Sequence, residues 1–188
     1  VVTRVRQASG NSFQLSVQNP SGGSSSGYTV HYVVVEEGTY TVATDGVTME
    51  AVKYTSTVTD AKSSWNGESR SYANSYSSPV VLGQVMSDND ANWSVFWARG
   101  SSRTSPPSNS SLFTGKHVGE DGNQTRAAET VGYIVIESGS GTIEGLEYST
   151  GLGSDIVRGP GNSPPYSYTL SGLTSGSSAV ASVAAMDG

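Results

Sequence analysis

A phrase of seven residues occurs twice in this chain, at domain spacing. Tyr32-Val33-Val34-Val35-Glu36-Glu37-Gly38 and Tyr133-Ile134-Val135-Ile136-Glu137-Ser138-Gly139 share one order: a tyrosine, a β-branched run, a glutamate, then a glycine two residues on. Glu36 and Glu137 are 101 residues apart in a chain of 188. A repeat of that period constrains the architecture before any local propensity does, because each copy must be one folding unit.

Other stretches echo at similar spacing. Gly46-Val47-Thr48-Met49-Glu50-Ala51 is followed later by Gly141-Thr142-Ile143-Glu144-Gly145-Leu146-Glu147. Pro79-Val80-Val81-Leu82-Gly83-Gln84-Val85-Met86 has its echo in Ala179-Val180-Ala181-Ser182-Val183-Ala184-Ala185-Met186, 100 residues on. After Met86 the chain continues through Ser87-Asp88-Asn89-Asp90 to Trp93–Gly100; after Met186 it stops at Asp187-Gly188. The missing part, a short strand, a turn and another strand, stands at the beginning: Val1–Gly10 and Ser12–Val17. The chain therefore reads as two copies cut out of phase. One is intact, residues 45–139; the other is split into residues 1–44 and 140–188. The competing reading is two similar strands inside one large sandwich.

The apolar content is modest, 35%, and 23 residues are glycine. Val, Tyr, Trp and Ile are nevertheless gathered into short runs, unlike a disordered chain. A sandwich buries alternate residues, so this content suffices. Short β-rich runs between Gly, Pro and Ser turns, with no amphipathic helix of useful length, predict an all-β chain. The expected fold is two antiparallel β-sandwich units of jelly-roll or lectin-like type, one intact and one split.

Composition also excludes. There is no cysteine, hence no disulfide, no thiol catalysis and no Cys-zinc site. A net charge of −6 with ten scattered basic residues argues against a nucleic-acid partner. No run approaches the roughly 20 apolar residues of a membrane span, and no secretory signal pattern is visible. The chain begins with Val, as a processed product or a segment of something longer would. The acidic, Ser/Thr-rich character suits an extracellular or cell-surface location.

In chain order, residues 1–17 read as a hairpin about Ala8-Ser9-Gly10-Asn11 and 20–27 as a loop. Residues 29–36 are too continuously apolar to have a wet face and are expected to be a central strand. Val47–Tyr54 alternates, with Val47, Met49 and Ala51 on one face and Thr48 and Glu50 on the other. Arg70–Tyr76, 79–86 and Ser94–Ala98 read as strands, and 100–111 as a long surface loop.

The order of an aromatic strand and a Pro-Val-Val-Leu strand (Tyr76 to Met86), a Trp-containing strand (Trp93 to Gly100) and the run Glu129 to Gly139 resembles the H-type-lectin-like β-sandwich repeats of secreted bacterial surface proteins. Thr29 to Gly38 carries the resemblance in the split copy, with Tyr28 where Glu129 stands. The resemblance implies antiparallel sandwiches that oligomerise and bind sugars. The layout is also similar to extracellular fibril subunits that complete one another with a donated strand.

A split sandwich left open exposes an inner face and sheet edges. With entry to and exit from the intact copy at opposite poles, its halves cannot meet within one chain, and each molecule completes the next. Such a heterologous contact builds an open filament, here a head-to-tail homopolymer formed by strand addition. The expected donors are Ala179, Val180, Val183, Ala184 and Met186; the acceptors are Val2, Val5, Phe13, Leu15, Tyr32, Val33 and Val35. The alternative is a carbohydrate-binding, lectin-like module; an enzyme is not expected.

The chemistry-bearing residues mostly have plainer readings. His31 and His117 fall in different copies without ligand spacing and read as structural. Glu36 and Glu37 are neighbours in a strand and point to opposite faces. Asp88, Asn89 and Asp90 could ligate calcium, with Asp187 at the equivalent turn, although an Asx-rich turn needs no metal; no cofactor is otherwise expected. Trp93 and Trp97 read as core. Asn92, Asn109 and Asn123 begin N-glycosylation triplets, and Asn109 and Asn123 fall in expected loops, so glycans are a further expected partner.

Overall fold

The second copy of the repeated phrase becomes the central strand of a sheet. Val131, Tyr133 and Val135 alternate with Gly132, Ile134 and Ile136, so the period-2 pleat sends the first set to one face. The computed structural model describes residues 1–158, 160–176 and 178–186. Its strands are β1 (Val2–Ser9), β2 (Ser12–Gln18), β3 (Gly38–Tyr40), β4 (Met49–Ser56), β5 (Thr59–Asp60), β6 (Glu68–Arg70), β7 (Pro79–Val85), β8 (Val95–Arg99), β9 (Leu112–His117), β10 (Glu129–Glu137), β11 (Gly139–Ile143) and β12 (Leu146–Thr150). One helical turn, α1 (Val42–Asp45), joins β3 to β4. The chain is all-β, as its patterning predicts.

The first sheet has the order β3-β4-β10-β7, all neighbours antiparallel. In the second, β9 is the middle strand. β8 pairs along one edge of it, and β6 and the short parallel β5 pair with it in succession along the other. The two sheets share a core: Val81, Val85, Val131, Tyr133 and Val135 from the first meet Phe96, Ala98 and Leu112 from the second, with Tyr76 between. Gly83 lies between Val81 and Val85 on this face. A Cβ there would overlap the Phe96 ring, so only glycine lets the facing aromatic lie on the β7 backbone.

Several expectations are corrected. The expected alternation in β4 holds, and the face turned to the shared core is the one that carries Glu50: Val52 and Tyr54 pack on the core, Glu50 is buried beside them, and Ala51 is buried on the other face. The Glu50 carboxylate accepts the amides of Ala73 and Asn74 at 2.8 and 3.0 Å and the Tyr76 hydroxyl at 3.3 Å, which satisfies a buried charge. Residues 71–78 form no strand: Glu50 takes the amides of Ala73 and Asn74, and Glu137 those of Ser77 and Ser78 at 2.8 Å each. The sandwich begins at β3, ahead of the expected boundary at residue 45, since Gly38–Tyr40 adds to the free edge of β4.

The attachment points are also not at opposite poles. Gly38 and Ile134 both pair with Ala51, and Tyr40 and Ile136 both pair with Met49. The chain thus enters and leaves at one end of β4. Residues 29–36 form no ladder and do not make a central strand; Tyr32, Val33 and Val34 are 66%, 61% and 68% exposed. Nothing in the described chain hydrogen-bonds alongside them as β4 and β7 do alongside β10.

Candidate assembly interface

The N-terminal hairpin, β1 with β2, forms about the turn at Gly10-Asn11. A buried cation ties it to the sandwich, beside bonds from Gln84 Nε2 to the Thr3 carbonyl and from Gln18 Nε2 to the Ala91 carbonyl, both at 3.2 Å. Arg4 donates to Gln18 Oε1 at 2.8 Å and to the carbonyls of Asn92 and Asp90 at 3.0 Å each, and lies 3.8 Å from the Glu129 carboxylate. Glu129 is itself fully buried. It accepts the Ser87 hydroxyl and the amides of Asn89 and Asp90 at 3.1 and 2.9 Å.

The 87–90 turn is therefore built around a carboxylate, and its own acids face protein donors. Asp88 pairs with Arg6 at 3.2 Å. Asp90 accepts the amides of Asn92 and Ala127, both at 2.9 Å, and these bonds hold its carboxyl below the usual range. Asn89 donates to the Ala128 carbonyl. Of the three residues named as calcium candidates, Asp88 and Asp90 thus turn carboxylate oxygens to protein donors, while Asn89 acts as a donor. Among the described residues no group of three or more His, Asp or Glu side chains is placed to hold a metal. Asp187 lies outside the described residues.

The residues expected to act in assembly lie at the chain ends. Phe13 and Tyr32 meet edge to face, ring centroids 5.1 Å apart, which brings β2 against the 28–36 segment. Val2 and Val5 are half-buried on β1, and Val35 is half-buried. Leu15 is 38% exposed. The donor residues form no strand; their last part lies along their own sandwich. Ser182 Oγ accepts the Gly83 amide at 3.3 Å, the Val183 carbonyl accepts the Ala98 amide at 3.4 Å, and Met186 donates to the Arg103 carbonyl at 2.8 Å. Ala179 is exposed, Ala184 and Met186 half-buried, and Val180 and Val183 are 54% and 48% exposed. This edge-on placement leaves their apolar faces largely wet.

Exposure is unevenly distributed along the chain. The exposed large apolar side chains of the described residues all fall before Val47 or after Glu137. They include Tyr28, Tyr32, Val33, Val34, Leu146, Leu152, Tyr168, Leu170 and Val180. The sandwich between those points exposes none of comparable size.

His117 is buried against Trp97, ring centroids 5.7 Å apart, and its Nδ1 accepts the Gly119 amide at 2.8 Å. Burial lowers its pKa from 6.5. The unfolded chain thus binds a proton that the folded chain resists. Stability conferred by neutral His117 is present above the unfolded pKa near 6.5 and is lost as pH falls through the window below it. We expect the urea midpoint to drop between pH 7 and pH 5, and His117→Asn to flatten that dependence; equal slopes in both proteins would refute the assignment. His31 is exposed.

Trp97 is buried, 1% exposed, whereas Trp93 precedes β8 and is half-buried. Asn92, Asn109 and Asn123 are all exposed, and Asn92 turns its Nδ2 back onto Asp90 at 3.0 Å. A groove of about 490 Å³ runs along Arg70, Tyr72, Asn74, Tyr76 and Asn109. Burial pushes the Tyr72 and Tyr76 phenols up, so both are protonated at neutral pH. Sequence reasoning missed this groove because its members come from a segment read as a strand and from a distant loop.

The fold defines an all-β protein built on an antiparallel sandwich with a hairpin at either flank. No family model, no curated relative and no solved structure matches the chain. Among the described residues no helix is long and apolar enough to cross a membrane.

Proposed function

We propose that this chain is a structural subunit of an extracellular filament. It polymerises head to tail when the two halves of its split sandwich are completed between molecules, and its exposed asparagines are the places for attached glycan. The observation that carries this reading is the confinement of exposed apolar side chains to the two chain ends. Full burial of a Val, Leu or Phe side chain contributes about 1.5–3 kcal/mol, so ends of this composition favour association strongly. The repeated phrase supplies the reason for self-association: the exposed segment 29–36 follows the sequence pattern of β10, which is paired along both edges.

Negative-stain electron microscopy of the purified chain tests the proposal, beside a chain lacking residues 178–188. Filaments in the first sample and none in the second are expected. Discrete monomers in both would overturn it. A second reading, a lectin-like module, would then lead, supported by the polar and aromatic groove at Tyr72, Asn74 and Asn109.

A further inference from the structure

The ends of the chain carry counterparts of three adjacent strands of the first sheet. Thr48-Met49-Glu50-Ala51-Val52-Lys53-Tyr54-Thr55-Ser56 is matched by Thr142-Ile143-Glu144-Gly145-Leu146-Glu147-Tyr148-Ser149-Thr150, position by position at an offset of 94. Thr29–Gly38 matches Thr130–Gly139 at 101, and 179–186 matches 79–86 at 100. In the intact unit these sequences are β4, β10 and β7, and β10 lies between the other two.

One of the three patterns forms strand in both copies, but in two different arrangements. Residues 49–56 run straight as β4, with Glu50 buried and Val52 packed on the core. Residues 142–150 bend at Glu144-Gly145, with φ of 48° and 86°, and fold back as the β11–β12 hairpin. Two successive positive φ values are the signature of a two-residue hairpin turn. Leu146, at the position of Val52, is then 75% exposed. A two-stranded hairpin alone is marginal in water, whereas the same pattern between strands is held on both edges.

We infer that residues 28–36 of one chain form the middle strand of a completed sheet, clamped between residues 142–150 and 179–186 of a second copy. The β11–β12 hairpin is the waiting form of the first donor and opens on assembly. This rests on the filament reading and adds to it a second donated strand and a register.

The intact ladder supplies that register. Ile136 pairs with Met49 and Val80, and Thr130 pairs with Thr55. Transferred by the three offsets, Val35 lies opposite Ile143 and Val180, and Thr29 lies opposite Ser149. The occupant is a second copy because the described chain leaves 28–36 unpaired, although both attachment points are at one end of β4. Its own 182–186 segment lies instead on Gly83, Ala98 and Arg103.

Three departures from the intact pattern shape the completed unit. Val183 stands where Gly83 stands, and a Cβ at Gly83 would overlap the Phe96 ring, so no aromatic lies on that backbone in the completed unit. The difference between offsets 101 and 94 removes the stretch that holds α1, so the donor strand 142–150 follows directly on β10. His31 stands where Gly132 stands; a Cβ at Gly132 would collide with Met86 Sδ, so Met186 packs differently over the completed sheet.

The chain has no cysteine, so engineered pairs report without background. Directly opposed residues have Cα atoms about 4.5–5.5 Å apart, within disulfide reach. Three double variants are oxidised during assembly: Val35→Cys with Ile143→Cys, Thr29→Cys with Ser149→Cys, and Val35→Cys with Val180→Cys. A control pairs Val35→Cys with Ala181→Cys, one residue out of register and so on the opposite face. Non-reducing denaturing gels should show the monomer band lost into a ladder of covalent multimers for the three pairs and retained for the control; filaments grown under reductant confirm that each variant assembles.

Cross-linking confined to single chains would overturn the second copy as occupant. A ladder from Thr29/Ser149 without one from Val35/Ile143 would mean that the hairpin docks closed, against the inference. Filaments with none of the three cross-links would overturn this register while leaving the filament reading intact. Neither filaments nor cross-links would remove both.

Discussion

Glu129→Ala lowers the unfolding free energy by about 3–5 kcal/mol, the range for removing one partner of a buried charge pair. The carboxylate is fully buried, and three groups of the 87–90 turn bond to it. Its loss leaves two amides and the Arg4 guanidinium, 3.8 Å away, without their counter-charge in the interior. For a sandwich of roughly 100 residues, 1 kcal/mol moves Tm by about 4–8 °C, so a fall of at least about 12 °C is expected in a thermal melt. The N-terminal hairpin also loses one of its anchors, so amide exchange across β1 and β2 should accelerate more than the global loss requires. A change within 1 kcal/mol, as expected of a surface acid, would show that the turn does not depend on this carboxylate.

Trp97→Ala is expected to cost a similar amount, about 3–5 kcal/mol, through a different mechanism. Trp97 is 1% exposed on the outer face of β8, away from the shared core. A loop covers it. Asp60 holds the amides of Asn66 and Gly67 at 2.7 and 2.8 Å, and Arg99 donates to the Trp65 carbonyl at 2.9 Å. Gly115 and Gly67 border the indole: a Cβ on Gly115 would lie 3.4 Å from Trp97 Nε1 and 3.4 Å from the Gly67 Cα, in van der Waals contact with both. Truncation to alanine leaves a cavity that a loop pinned at both ends cannot close. The check is urea unfolding of both proteins. On the proposed filament reading, assembly at low temperature should survive the substitution, because Trp97 belongs to neither end of the chain; loss of assembly at a temperature where the sandwich is still folded would contradict that separation.

Much of the fold was legible in local sequence. The hairpin about Gly10-Asn11 announces itself by turn residues between alternating runs, and the structure has it. Strands at 79–85, 95–99 and 129–137 follow from β-branched and aromatic runs bounded by turns. The face of β4 was not legible, because Glu50 is a carboxylate in a core position. Its burial depends on the amides of Ala73 and Asn74, more than twenty residues away, and no local pattern reports a partner at that distance. The Glu129 network is hidden in the same way. A glutamate beginning an apolar strand looks like an N-terminal flank until the 87–90 turn and Arg4 are brought to it.

The repeat determined which segments are alike; tertiary structure decided which of them are satisfied. Sequence alone established that 29–36 and 130–137 carry one pattern. Only packing distinguished them: the second has β4 and β7 hydrogen-bonded to its two edges, and the first has neither within the described chain. A strand's sequence encodes which side chains point together, which is a local property of the pleat. Whether its backbone amides and carbonyls are paired depends on what lies 4.7–4.9 Å to either side, and that is set by the rest of the chain or by another molecule. The same division explains why one sequence pattern is a straight strand at Met49–Ser56 and a hairpin at 139–150.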